Sequence, residues 1–143
     1  MMKMKKTNAN ESVMDFPKIG LCPDVWEQVD SDGSWKMRDD VRQKLLGIFN
    51  RIVPSLKETG FWNDPMKAMY AHITGSITSN SYTSNADIDL HIVPHIWPKL
   101  HDVQEKSNEV LKRAFDEIKA ESEDAWHIGR SHPIEVYFQI NAC

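Results

Sequence analysis

The sequence predicts a small mixed α/β domain, and three observations carry that expectation. Two long stretches, residues 37–58 and 98–122, place apolar side chains at helical spacing. Three shorter runs, at 69–74, 87–93 and 134–140, read as strands bounded by Gly, Pro and Ser-rich segments. The length, 143 residues, suits one domain with a real core, and the order helix, strand, turn, strand, helix, strand suits a mixed sheet of three or more strands flanked by two long helices.

Residues 1–20 are expected as a flexible N-terminal tail and 21–143 as the folded core. The first 16 residues are polar and lysine-rich, with Asn8, Asn10 and Ser12 among them. From Phe16 through Cys22, Pro23, Val25 and Trp26, an irregular segment packs its aromatic and aliphatic residues onto the domain, and Asp30–Ser34 is a turn cluster. In the first helix Val41, Leu45, Ile48, Phe49, Ile52, Val53 and Leu56 share a face; Pro54 kinks it or ends it early, and Gly60 stands where a cap belongs. Met69–Thr74 is a strand leading into Gly75-Ser76. Ile77–Ala86, rich in Ser, Thr and Asn, is a loop or a single poor helical turn.

Asp87–Val93 forms the next strand, stopped by Pro94. The second long helix opens with Pro98 as a first-turn residue, and Leu100, Val103, Val110, Leu111, Ala114, Phe115 and Ile118 line one side of it. A turn through Gly129–Pro133 precedes the last strand. There Ile134, Val136, Phe138 and Ile140 alternate with Glu135, Tyr137 and Gln139.

Composition narrows the function classes. Seventeen basic against 21 acidic residues leave a net charge of −4, which argues against a protein that binds nucleic acid by bulk electrostatics. No run approaches the length needed to span a bilayer, and Met1–Lys6 is not followed by the apolar stretch of a secretory signal. Cys22 and Cys143 lie far apart; free thiols in a reducing cytoplasm are the better reading than a terminal bridge.

Chemistry concentrates around one pattern: Gly75-Ser76, ten residues, then Asp87-Ile88-Asp89-Leu90. In a strand Asp87 and Asp89 project to one face while Ile88 and Leu90 point to the other. Like charges side by side raise each other's pKa unless a cation lies between them, and magnesium takes one or two carboxylates together with substrate phosphates. The Gly-Ser turn offers backbone N–H groups and a hydroxyl to a phosphate beside that cation. If the Glu135 strand lies next to the Asp87–Asp89 strand, three carboxylates converge. Such a triad can hold two magnesium ions about 4 Å apart, with manganese as the alternative cation.

Thr74-Gly75-Ser76, Asp87-Ile88-Asp89-Leu90 and Ile134-Glu135-Val136 together resemble the polymerase-β-like nucleotidyltransferase superfamily. The resemblance implies a palm-like fold, either a minimal form or the core of a longer protein, since many relatives continue into further helices after the third strand. It implies that Gly75 and Ser76 grip a nucleoside triphosphate, that Asp87 and Asp89 bind both metals, and that Glu135 completes the catalytic site. It further implies transfer of a nucleoside monophosphate, with release of pyrophosphate, to an acceptor that is RNA, protein or a small molecule. A looser likeness, through Leu21–Trp26, Val41–Leu46, Gly75–Tyr82 and Ile134–Tyr137, is to uncharacterised nucleotidyltransferases of bacteriophage genomes. The rival expectation is a non-catalytic nucleotide-binding protein or antitoxin-like regulatory partner on the same fold.

The remaining polar residues carry blander readings. His91 continues the Asp87–Asp89 face to the rim of the site, and His72 is structural. His91, His95 and His101 do not make a zinc set, because Pro94 and Pro98 break any helix that would align them. Lys106, Lys112 and Arg113 on the second helix could reach a triphosphate, although surface cations on a helix are mostly solvated, and Arg130 before the last strand is open between the same two readings. Phe61-Trp62 is a small exposed patch or a cap over the first helix.

Overall fold

A computed structural model describes residues 20–29, 33–95, 102–129 and 131–140. The expected tail over 1–16, Phe16–Ile19, Asp30–Asp32, Pro98, Leu100, His101, Arg130 and Cys143 lie outside the described residues. The fold is mixed α/β, with a four-stranded sheet flanked by helices.

Two three-residue strands, β1 (Trp26–Gln28) and β2 (Trp35–Met37), form an antiparallel hairpin where the sequence suggested an irregular segment and a helix start. Such short strands give no readable period. Helix α1 follows at Asp39–Ile52, with Asp39 and Asp40 in its first turn and Arg51 in its last, as the helix dipole favours. It ends before Pro54, which has no N–H to continue the ladder; the chain tightens into a 3-10 turn over Val53–Thr59. Gly60 closes that turn at φ 81°, a left-handed conformation that suits a residue without Cβ.

A four-residue helix, α2 (Pro65–Ala68), leads into β3 (Met69–Thr74), and β4 spans Ile88–Pro94. Pro94 sits within the end of β4, opposite Met69, rather than stopping the strand before it. Helix α3 (Asp102–Glu121) crosses over to β6 (His132–Phe138), after a two-residue strand β5 (His127–Ile128). β6 begins and ends two residues earlier than its alternation suggested. His132 is already paired with Ile128 of β5, and the Ile140 amide bonds a side chain of α3 instead of continuing a strand.

The sheet order is β3-β4-β6-β5. β3 and β4 are antiparallel, whereas β4 and β6 are parallel and so need the long crossover that α3 supplies. Ile88, Leu90 and Ile92 of β4 and Ile134, Val136 and Phe138 of β6 are buried, forming one cluster with Val41, Leu45 and Ile48 of α1 and Val110, Leu111 and Phe115 of α3. Trp62 joins this core, its indole N–H donating to Ser107 Oγ at 3.2 Å, so of the Phe61-Trp62 pair the tryptophan is interior. Apolar residues facing the helices leave the alternate positions of β4 and β6 for polar side chains.

The edge of β6 beyond β5 is closed by α3. Asn108 Oδ1 accepts the Phe138 amide at 3.0 Å, and Gln104 Oε1 accepts the Ile140 amide at 2.8 Å. Residues four apart on a helix share a face, so the Gln104–Asn108 spacing serves two amides that leave a strand on the same side. No helix of the described residues is long and apolar enough to cross a membrane.

Candidate metal centre on the polar face of the sheet

Register decides where the carboxylates fall. In the parallel β4–β6 pair Asp89 lies directly opposite Glu135, and Ile88 opposite Ile134. Both acids occupy the face that the buried isoleucines leave open. Asp87, just ahead of β4, joins them, and the three offer carboxylate oxygens that all lie within 4.8 Å of one another. Asp87 is exposed, while Asp89 and Glu135 are half-buried. Three hard anionic ligands at that separation form a site with metal-binding capacity.

The Gly-Ser turn meets this group from β3. Thr74 pairs with Asp89 across the antiparallel ladder, so the next residue, Gly75, stands beside that carboxylate. Gly75 has φ 94° and ψ −177°, a region essentially confined to glycine. A Cβ there would stand 2.9 Å from Asp89 Oδ2, so both the backbone and the close approach call for glycine. The turn is held by its own hydroxyls: Thr78 Oγ1 donates to the Gly75 carbonyl at 2.7 Å, and Ser79 Oγ to that of Ser76 at 3.0 Å. Ser76 itself is exposed at the mouth of the turn, which continues as the short 3-10 turn Ser76–Thr78 before the Ser/Thr/Asn-rich loop.

Electrostatics reflect the crowding. Burial, followed by the charges of Glu135 and Asp87, pushes the Asp89 carboxyl above its ordinary range, and His91 opposes the shift. Glu135 is oriented by Tyr137, whose hydroxyl donates to Oε2 at 2.5 Å. That hydrogen bond, reinforced by burial and by the surrounding carboxylates, holds the phenol protonated, with its pKa pushed up to about 12. Tyr137 was legible only as a residue on the Glu135 face; its role depends on a contact between positions two apart on one strand.

His91 lies at the rim, as the alternation suggests. Its Nδ1 is 2.6 Å from Gln139 Oε1, an acceptor, so Nδ1 carries the proton. The ring stacks on His72 at 5.5 Å, which pairs with it across β3 and β4. Beside it, Asp89, Gln104, Asn108, Tyr137 and Gln139 line a cavity of about 370 Å³. A second cavity, of about 280 Å³, runs from Glu135 and Tyr137 to Lys112, Asp116 and Lys119 of α3. Lys112 is therefore placed at the site, its Nζ 5.0 Å from the Tyr137 ring centre. Arg113 turns away to an ion pair with Glu58.

One contributor gave no signal in the sequence. The Trp26 indole N–H donates to the Ile77 carbonyl at 2.8 Å, tying the β1–β2 hairpin to the Gly75-Ser76 turn across 51 residues. No protein-family model matches the chain, and comparison with curated proteins and with solved structures finds no match either.

Proposed function

We propose that this protein is a magnesium-dependent nucleotidyltransferase of the polymerase-β-like kind, moving a nucleoside monophosphate from a nucleoside triphosphate to an acceptor and releasing pyrophosphate. The observation that carries the reading is the direct pairing of Asp89 with Glu135 on adjacent strands, with Asp87 alongside and Gly75 against the Asp89 carboxylate. The pairing of β4 with β6 brings three like charges together on the open face of the sheet, where a cation between them would relieve the repulsion.

Asp87, Asp89 and Glu135 would hold magnesium, whose hard oxygen preference matches an all-carboxylate set. Bound there, it would neutralise the charge of the triphosphate and of the departing pyrophosphate. The chain's own residues do the rest. The Gly75-Ser76 turn lets phosphate oxygens approach the backbone with no Cβ in the way. Tyr137 fixes one oxygen of Glu135, limiting the directions from which the other can act. Lys112 and Lys119 place positive charge along the cavity that opens from Glu135.

Calorimetric titration with Mg²⁺ and each ribonucleoside triphosphate, wild type against Asp87→Asn/Asp89→Asn, tests the site. Metal-dependent binding that disappears in the variant is expected, and identical traces would overturn the reading. Incubation with labelled nucleoside triphosphate and a cell lysate, followed for pyrophosphate release and for label on RNA, protein or a small molecule, tests the reaction. Metal-dependent binding with no release and no labelled acceptor would make the chain a nucleotide-binding protein instead.

A further inference from the structure

We propose a second, separate metal site: a zinc-class transition-metal ion held by Cys22 Sγ, Asp24 Oδ2 and His132 Nε2. The three donor atoms lie within 4.8 Å of one another, and none of them belongs to the carboxylate triad. Sγ is 3.5 Å from Nε2, and Nε2 is 3.0 Å from Oδ2. Bonds of about 2.3 Å to sulfur and 2.0–2.1 Å to nitrogen and oxygen, at tetrahedral angles, would separate sulfur from nitrogen by about 3.6 Å and nitrogen from oxygen by about 3.3 Å. The sulfur–nitrogen separation matches that spacing, and the nitrogen–oxygen separation falls short of it by about 0.3 Å, within reach of the half-exposed Asp24 side chain.

The imidazole is oriented for the same purpose. His132 Nδ1 is 2.8 Å from the Ala86 carbonyl, which can only accept, so Nδ1 carries a proton and Nε2 faces Cys22 and Asp24. A ligating histidine whose other nitrogen donates to a backbone carbonyl is the usual second-shell arrangement. A Cys–His–Asp catalytic relay is excluded by the same geometry, because there the thiol and the carboxylate occupy opposite ring nitrogens, whereas here both converge on Nε2. A thiolate and a carboxylate balance a dipositive ion, and soft sulfur beside imidazole selects zinc-class metals over magnesium.

Solvent reaches the group from the Asp24 side. Cys22 and His132 are buried, but the Asp24 side chain is half-exposed and lines a cavity of about 390 Å³ with Arg38, Lys44, His127 and Gly129. Water from that side can fill the fourth position. The ion would clamp the segment carrying Cys22 and Asp24 to the first residue of β6 and, through His132, to Ala86 at the approach to Asp87. It acts on the foundations of the carboxylate site without sharing a ligand with it.

Cobalt is the probe, because thiolate coordination gives an intense near-ultraviolet charge-transfer band and tetrahedral geometry gives strong visible bands. Metal-stripped protein carrying Cys143→Ser, which leaves Cys22 as the single thiol, is titrated with Co²⁺ and then with Zn²⁺. The expected result is both sets of bands at the intensity of one thiolate-bound cobalt per chain, displaced by zinc, unchanged by Asp89→Asn and abolished by Cys22→Ser. Asp24→Asn, at a half-exposed side chain that leaves the buried pair intact, keeps the thiolate band but weakens zinc binding beyond the roughly 10–100-fold typical of losing an outer-shell partner. Absence of a thiolate band at stoichiometric cobalt would overturn the proposal and leave His132–Asp24 as an ion pair alone. Zinc affinity unaffected by Asp24→Asn would overturn the three-ligand set.

Discussion

Replacing Asp89 with Asn should stabilise the metal-free protein, against the usual direction for a substitution in a half-buried strand. Asp89 faces Glu135 and Asp87 with oxygens within 4.8 Å of one another. At that separation two unit charges repel by about 0.9 kcal/mol in bulk water and about 3.5 kcal/mol at an effective dielectric of 20. Asp87 is exposed and the other two acids half-exposed, so the water-like end applies, and salt reduces it further. An isosteric amide removes the burial penalty and both repulsions, for a gain of about 1 kcal/mol. Unfolding entropy of about 2.1 cal/mol/K per residue converts this, over 143 residues, to a rise in Tm of about 3 °C.

The pH dependence gives the prediction its sign. Burial and neighbouring carboxylates raise the folded-state pKa of Asp89 above its unfolded value, so the native state holds this proton more tightly. Below the unfolded carboxylate value the acid is protonated in both states and costs nothing. As pH rises through the folded value the penalty develops in full. Thermal unfolding in EDTA at low ionic strength should therefore show the variant ahead of wild type at pH 7–8, with the gap closing towards about pH 4. On the proposed function magnesium should reverse the order: at ten times its Kd, binding would add about 1.4 kcal/mol, or about 5 °C, to wild type and little to the variant. A variant less stable than wild type in EDTA at pH 8, or a gap indifferent to pH, would refute the reasoning.

Gly75→Ala should do the opposite of Asp89→Asn, because it forces φ 94° on a residue with a Cβ and drives that atom to 2.9 Å from Asp89 Oδ2; the strain of about 1–3 kcal/mol should appear as a fall in Tm and as weakened magnesium binding by calorimetry. Tyr137→Phe should remove the highest-titrating phenol: spectrophotometric titration of wild type should show one tyrosine ionising at about pH 12, and the variant should lack it. Because the folded pKa lies above the unfolded value of about 10, wild-type stability should fall as pH climbs from 10 towards 12, and the variant should lose that part of the slope. Asn108→Ala should leave the Phe138 amide without its 3.0 Å partner at the strand edge, costing about 1 kcal/mol in urea unfolding and speeding hydrogen exchange at that amide.

Elements long enough to show a period were legible in the sequence, and those fixed by single tertiary contacts were not. Val41, Leu45, Ile48 and Ile52 recur at helical spacing and are buried in α1; Ile134, Val136 and Phe138 alternate and are buried in β6. Met69–Thr74 stands at its expected bounds, because its partner strand and the Gly75 turn delimit it on both sides. The carboxylate triad was legible for the same reason: alternation dictates which face Asp89 and Glu135 take, once their strands are neighbours. What stayed hidden is made of two- and three-residue strands and long-range single bonds. Trp26 to Ile77 spans 51 residues and His132 to Asp24 spans 108, and neither leaves a local pattern.

Those hidden contacts explain how a repulsive cluster keeps its shape. Three acids on neighbouring strands would relax apart if the strands or the turn could yield. β4, which carries Asp89, is the interior strand between β3 and β6, paired on both sides and buried at Ile88, Leu90 and Ile92. The β1–β2 hairpin and the chain before it then brace the two ends of the site separately. Trp26 holds the Gly75-Ser76 turn through Ile77, while Asp24 meets His132 just ahead of Glu135, and His132 holds Ala86 just ahead of Asp87. A rigid scaffold lets the repulsion persist as a standing preference for a cation, because the geometry that would dissipate it is closed off by packing. The short N-terminal hairpin, silent in the sequence, is thus part of the apparatus that keeps the carboxylates together.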